Sequence, residues 1–165
     1  MGTLGVTVDE AMAVTIQDHR KLGVSCAAQL PTGFDPAALY QSRNHPRGLQ
    51  LAIVGISDAL GSMGLDWDEV SQSVRPDQIS MYSSSAIGQM DETGSGGLLG
   101  ARLRGKRVTS KHLALGLPQM TADFPNAYVF GHVGTTGGNL GACATFHYNL
   151  RLPVNDIQSG RAKLP

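Results

Sequence analysis

The 165-residue chain has little cysteine, only Cys26 and Cys143, and few aromatic residues, which make up 5% of it. Two cysteines are too few for a disulfide framework, and their separation is not a metal-ligand spacing. The scarcity of aromatics leaves little surface on which nucleic-acid bases could stack. Charge of either sign is not in excess, since 13 Lys and Arg balance 13 Asp and Glu. That balance carries no electrostatic signature for nucleic acid or an anionic membrane. No apolar run is long enough to span a bilayer, and no charged-then-apolar signal segment opens the chain. The expectation is a cytoplasmic globular chain with no nucleic-acid or membrane partner, no metal and no cofactor.

Apolar residues make up 41%, and the 21 glycines concentrate between Gly88 and Gly141. Tight turns or close backbone approach are therefore expected in that region. Residues 1–24 are weakly patterned and read as a leader or arm, and 25–165 as the structured domain. Gln29 to Pro36 is turn chemistry, with Pro31, Gly33 and Pro36 breaking regular structure. Leu49, Ile53, Ile56 and Leu60 recur at helical intervals, predicting an amphipathic helix over 47–61. Asp66 and Glu69 have capping-box spacing ahead of a second, short helix. A strand is predicted over 79–85, a short helix over 98–103, and a helix over 123–130 with Pro125 in its first turn. A final strand leads to Cys143, and a helix runs from there to about Gln158, stopped by Gly160. Strands alternating with helices predict an α/β architecture.

Two motifs fail on inspection. Gly100 to Arg107 nearly fits a phosphate-binding loop, but Arg107 stands where a magnesium-binding hydroxyl is needed and no buried strand leads in. Gly94, Gly96 and Leu99 miss the third glycine of a dinucleotide fingerprint. The basic cluster Arg102, Arg104, Lys106, Arg107 and Lys111 reads as a solvated face, or as a surface for an acidic carrier protein or coenzyme A phosphates.

Gly137-Gly138-Asn139-Leu140-Gly141-Ala142-Cys143-Ala144-Thr145-Phe146 carries the most chemistry. A thiol where a strand turns into a helix meets the positive end of the helix dipole, which favours the thiolate. Small neighbours let a substrate carbonyl and backbone N–H groups approach the sulfur. A buried structural cysteine is the competing reading. His147 follows by one helical turn, which raises a third possibility, a small Cys143–His147 hydrolase. A residue at that position points along the helix side, however, and a packing role fits it better. The other histidines, His19, His45, His112 and His132, show no partner by spacing.

Gly141 to Phe146 resembles the acyl-accepting cysteine motif of the β-ketoacyl synthases, the condensing enzymes of fatty-acid synthesis. Ala122-Asp123-Phe124 with Asn126 to Val129, Lys111 to Gly116, and Gln29 to Phe34 add to the resemblance, which covers about residues 25–162. It implies the N-terminal half of a thiolase-like fold, a mixed sheet covered by helices. It implies Cys143 as nucleophile, its N–H as an oxyanion donor, and Gln89 and Met90 near the acyl channel. The implied partners are acyl carrier protein or coenzyme A thioesters, with a homodimer formed through the strand before Cys143, or a complementing C-terminal half. The family's chain is more than twice as long, and its two decarboxylating histidines lie in the second half; none of the five histidines here matches them. The sequence stops at Arg161 to Pro165, where the next core strand is expected to start. A synthase part that cannot condense alone is the leading expectation, and a non-catalytic binding or assembly module the alternative. Pro153, inside the last helix, adds strain of about 3 kcal/mol unless that helix ends early.

Overall fold

Pro46 sets the start of the first long helix, α1 (Arg47–Ser62), where a missing N–H costs nothing. The Arg47 N–H at this start donates to the Asp91 carboxylate at 2.7 Å, so an anion from a distant loop caps the positive helix end. The computed structural model describes Gly23, Cys26 and residues 29–164 other than Arg43. The chain divides into two units, Met1–Phe34 and Asp35–Pro165. In the first, Pro31 to Phe34 form the expected turn, with Gly33 at φ 84° and the Phe34 N–H donating to Pro31 O. The arm predicted over 1–24 lies outside the described residues, apart from Gly23.

The second unit continues from α1 into α2 (Trp67–Ser73), whose Asp66 cap accepts from the Asp68 N–H. Then come β1 (Met81–Tyr82), α3 (Ser95–Gly100), α4 (Ser110–Gly116), α5 (Met120–Pro125), β2 (Thr136–Gly137) and α6 (Thr145–Gln158). β1 pairs parallel with β2, Met81 facing Thr136 and Tyr82 facing Gly137. A parallel bridge joins Ile79 to Leu164 on the other side of β1. Helices with a small parallel sheet give the expected α/β class. Pairing among the described residues is parallel throughout rather than mixed, because β1 reaches β2 by a crossover through α3, α4 and α5 and not by a hairpin.

Several boundaries differ from expectation. The strand predicted over 79–85 shrinks to two residues and a bridge. Beyond Tyr82 the ladder opens: Ser83 N–H still reaches Gly137 O, but Ser85 N–H turns to Pro118 O. The helix predicted over 98–103 begins earlier, inside the glycine run, because Gly96 and Gly97 lie against the carbonyls of Met90 and Glu92 where any Cβ would collide. Pro125 is the last residue of α5, not part of a first turn. Lacking an N–H, it breaks the regular bonding, and the chain continues as a π-helical turn, Asn126–Phe130, closed by Gly131 N–H to Asn126 O. α6 runs through Pro153 without ending early, and Gly160 stops it at φ 72° as expected.

α1 packs on α5, where Leu49, Ile53, Ala122 and Pro125 are buried. At the edge of this contact His45 sits between two phenols, Tyr40 Oη at 3.1 Å and Tyr128 Oη at 3.3 Å, with Phe124 edge-on at 4.8 Å. Burial holds His45 below the usual histidine range, and burial beside Tyr128 pushes Tyr40 up to about 12. Among the described residues no single helix is long and apolar enough to cross a membrane; α1 and α2 together have the composition but bend by 83°.

Candidate active site

β2 ends at Gly137, so four residues of loop, Gly138 to Gly141, separate the ladder from the turn that carries Cys143. The strand expected to lead directly into the cysteine stops short. Gly138 is required by close approach, since a Cβ there would collide with Ser83 O. Ala142 then takes φ 47°, a left-handed conformation costing an alanine roughly 1–2 kcal/mol. Ala142–Ala144 make one 3₁₀ turn before α6 begins at Thr145. Cys143 is exposed on this turn, directly ahead of the 14-residue helix. Its N–H has no acceptor among the described residues.

Two side chains on the first turns of α6 hold this elbow. Thr145 Oγ1 accepts from Gly141 N–H at 3.1 Å and donates to Ala142 O at 2.8 Å. Asn149 Oδ1 accepts from Asn139 N–H at 2.8 Å, and its Nδ2 donates to Asn139 O at 3.0 Å and Thr145 O at 2.8 Å. Further along, Asp156 accepts from the Tyr82 hydroxyl, from Ser80, and from Arg161 at 2.9 Å. The Tyr82 bond, helped by the Arg161 charge, holds the Asp156 carboxyl below the usual carboxylate range. Burial and the same hydrogen bond push Tyr82 up. Sequence reading had missed Thr145, Asn149 and Asp156. The available signal was a hydroxyl, an amide and a carboxylate recurring at helical spacing on one face of α6.

Gln89 and Met90 belong to a separate loop. Gln89 is buried, its N–H donating to Gly116 O and its carbonyl accepting from Ser95 N–H, and its side-chain oxygen covers Gly48. Its Nε2 has no hydrogen-bond partner among the described residues. Met90 is half-exposed. Among the described residues no hydrogen bond ties this loop to the elbow. His147 is exposed, edge-on to Phe146 at 5.6 Å, and among the described residues no hydrogen bond joins it to Cys143. Of the other histidines, His112 completes the cap of α4 by accepting from Thr109 N–H, and His132 is buried, with neither ring nitrogen partnered among the described residues. His19 lies outside the described residues. Glu92 occupies two members of the basic cluster, Arg104 at 3.4 Å and Lys106 at 3.3 Å.

No protein-family model matches the chain. The chain is, however, 47% identical over 163 residues to the Pseudomonas aeruginosa β-ketoacyl-[acyl-carrier-protein] synthase FabY. The match spans a β-ketoacyl synthase segment. It covers 99% of this chain but only 26% of FabY, so the chain spans about a quarter of its relative's length. The crystal structure of the FabY ketosynthase from P. aeruginosa superposes with a TM-score of 0.76 at 52% identity, covering 80% of this chain and 21% of that one. The helices and parallel pair described above are thus part of the thiolase-like fold of that ketosynthase, a partial domain.

Proposed function

We propose that this chain supplies the acyl-accepting part of a β-ketoacyl synthase, with Cys143 as the nucleophile. The observation that carries the reading is the elbow: an exposed thiol on a left-handed turn, ahead of a long helix, beside an unpartnered N–H. After losing its proton to water, the Cys143 thiolate attacks the carbonyl carbon of an acyl thioester. The Cys143 N–H stabilises the oxyanion of the tetrahedral intermediate. The C–S bond to the pantetheine sulfur then breaks, and the leaving thiolate takes up a proton. The result is an acyl-Cys143 thioester, which splits one difficult reaction into two easier ones. Condensation would follow when a malonyl thioester loses CO₂ and its carbanion attacks the acyl group. That second stage needs histidines that none of the five here supplies.

Acyl carrier protein or coenzyme A would deliver the acyl group, with Arg102, Arg107 and Lys111 offering charge to an acidic or phosphate-bearing donor. Gln89 and Met90 would border the acyl chain. A homodimer through the segment before Cys143, or a complementing C-terminal half, would complete the site, and the cytoplasm is the compartment of this reading. The second reading, a non-catalytic assembly module, is favoured by the exposed apolar side of α6, where Phe146, Leu150 and Ile157 are uncovered.

Incubating the chain with an acyl-coenzyme A or acyl-carrier thioester, followed by intact mass and peptide mapping, separates the two. Acylation of Cys143 over Cys26, with no β-ketoacyl product after malonyl thioester is added, is the expected result. Equal slow labelling of both cysteines would overturn the nucleophile assignment in favour of the module. A β-ketoacyl product from the 165-residue chain would overturn the claim that it cannot condense alone.

A further inference from the structure

We propose that Asn149 and Thr145 are positioning residues that hold Cys143 in its reactive geometry; this rests on the reading of Cys143 as an acyl-accepting nucleophile. The backbone after β2 has left the ladder, so its polar groups must find other partners. Asn149, only 6% exposed, meets both backbone groups of Asn139, as a neighbouring strand would. Its second amide hydrogen is spent on Thr145 O. With both donors and one acceptor engaged, the carboxamide has a single workable orientation. One helical turn earlier, Thr145 bonds Gly141 N–H and Ala142 O, on the two sides of the peptide units that set the left-handed Ala142.

These two side chains therefore satisfy four backbone groups across residues 139, 141 and 142, all anchored to one rigid helix. The consequence lies at the next residue. An alanine left to itself relaxes to negative φ. Tied on both sides it cannot, and the Cys143 Sγ and N–H keep fixed directions relative to each other. Acyl transfer depends on that relation, because the sulfur attacks one face of the carbonyl while the N–H receives its oxygen. Alkylation of the thiol by a small reagent does not, because no oxyanion forms.

The two rates, measured on the same variants, form the test. Asn149→Ala and Thr145→Val are expected to slow acyl transfer from acyl-coenzyme A by on the order of 10–100-fold, with iodoacetamide alkylation of Cys143 changed by less than about threefold. Thr145→Ser, which keeps the hydroxyl, is expected to restore acyl transfer to within about threefold of wild type. A role limited to stability would move both rates together or neither, and either pattern would overturn the proposal. If Asn149→Ala loses its helical circular dichroism, the Thr145→Val and Thr145→Ser pair decides alone, and equal acyl transfer by the two would overturn it. Absence of acylation at Cys143 in the wild type would instead remove the underlying nucleophile reading.

Discussion

The two longest helices, α1 and α6, meet the rest of the unit in opposite ways. α1 turns its apolar stripe inward: Leu49 and Ile53 are buried on α5, and Gly55, Ser57 and Asp58 face out. On α6 the buried residues are Thr145, Asn149 and Asp156, all polar, whereas Phe146 (69% exposed), Leu150, Val154 and Ile157 lie open. A helix lying on the surface of a finished domain shows the first pattern. The second belongs to a helix fixed to its sheet by hydrogen bonds while its apolar side is left for something else to cover. An open groove of about 190 Å³ runs along that side, lined by Met81, Tyr82, Phe146, Leu150 and Pro153. A chain that spans about a quarter of its relative's length would have such a face. On the proposed reading, the α1–α5 side is a completed core and the α6 side one wall of an incomplete one.

Substitutions can break this comparison at either end. The largest effect is expected from Leu49→Ala, which empties a fully buried position on the finished side. Urea unfolding should show a loss of about 2–5 kcal/mol, and a loss under 1 kcal/mol would mean that the α1–α5 contact is not the core. Next comes Asp156→Asn, which removes the charged acceptor of Tyr82, Ser80 and Arg161 on the hydrogen-bonded side of α6. A loss of about 1–3 kcal/mol is expected at neutral pH. Because the folded carboxyl titrates below its ordinary value, its contribution is fully present above about pH 4 and is lost as pH falls through the folded value. Stability followed downward from pH 6 should therefore fall less steeply in Asp156→Asn than in the wild type. Parallel acid limbs would show that Asp156 does not act through its charge.

The same contrast explains what the sequence made legible. The stripe of α1 was readable because its apolar residues point at the core of this same unit, so spacing and burial agree. The helix expected after Cys143 is present as α6 and ends near Gly160 as expected, but a helix read from sequence does not say whether the partner of its apolar side lies within the chain. Cys143 stood out because small residues surround it. The clasp made by Thr145 and Asn149 did not, since it depends on backbone groups released by a ladder that ends earlier than β-propensity suggested. Ile79 to Ser85 was read as a full strand on composition; Ser83 and Ser85 instead use their N–H groups to join different segments. Pro125 is expected in a first turn, where it is tolerated, and Pro153 as a source of strain inside the last helix. One is absorbed as a switch to π bonding at the end of α5, and the other inside a helix already held by side-chain bonds to its sheet.

The smallest expected effect gives the most direct test of the claim that α6 presents its apolar side to a partner outside this unit. In the triple variant Phe146→Gln, Leu150→Gln and Ile157→Gln, all three changes fall on the open face and keep helix-forming side chains. Its unfolding free energy in urea should stay within about 1.5 kcal/mol of wild type, as three surface substitutions would. A loss of about 4 kcal/mol or more, on the scale of emptied core positions, would show that this face is already packed within the chain and contradict the account.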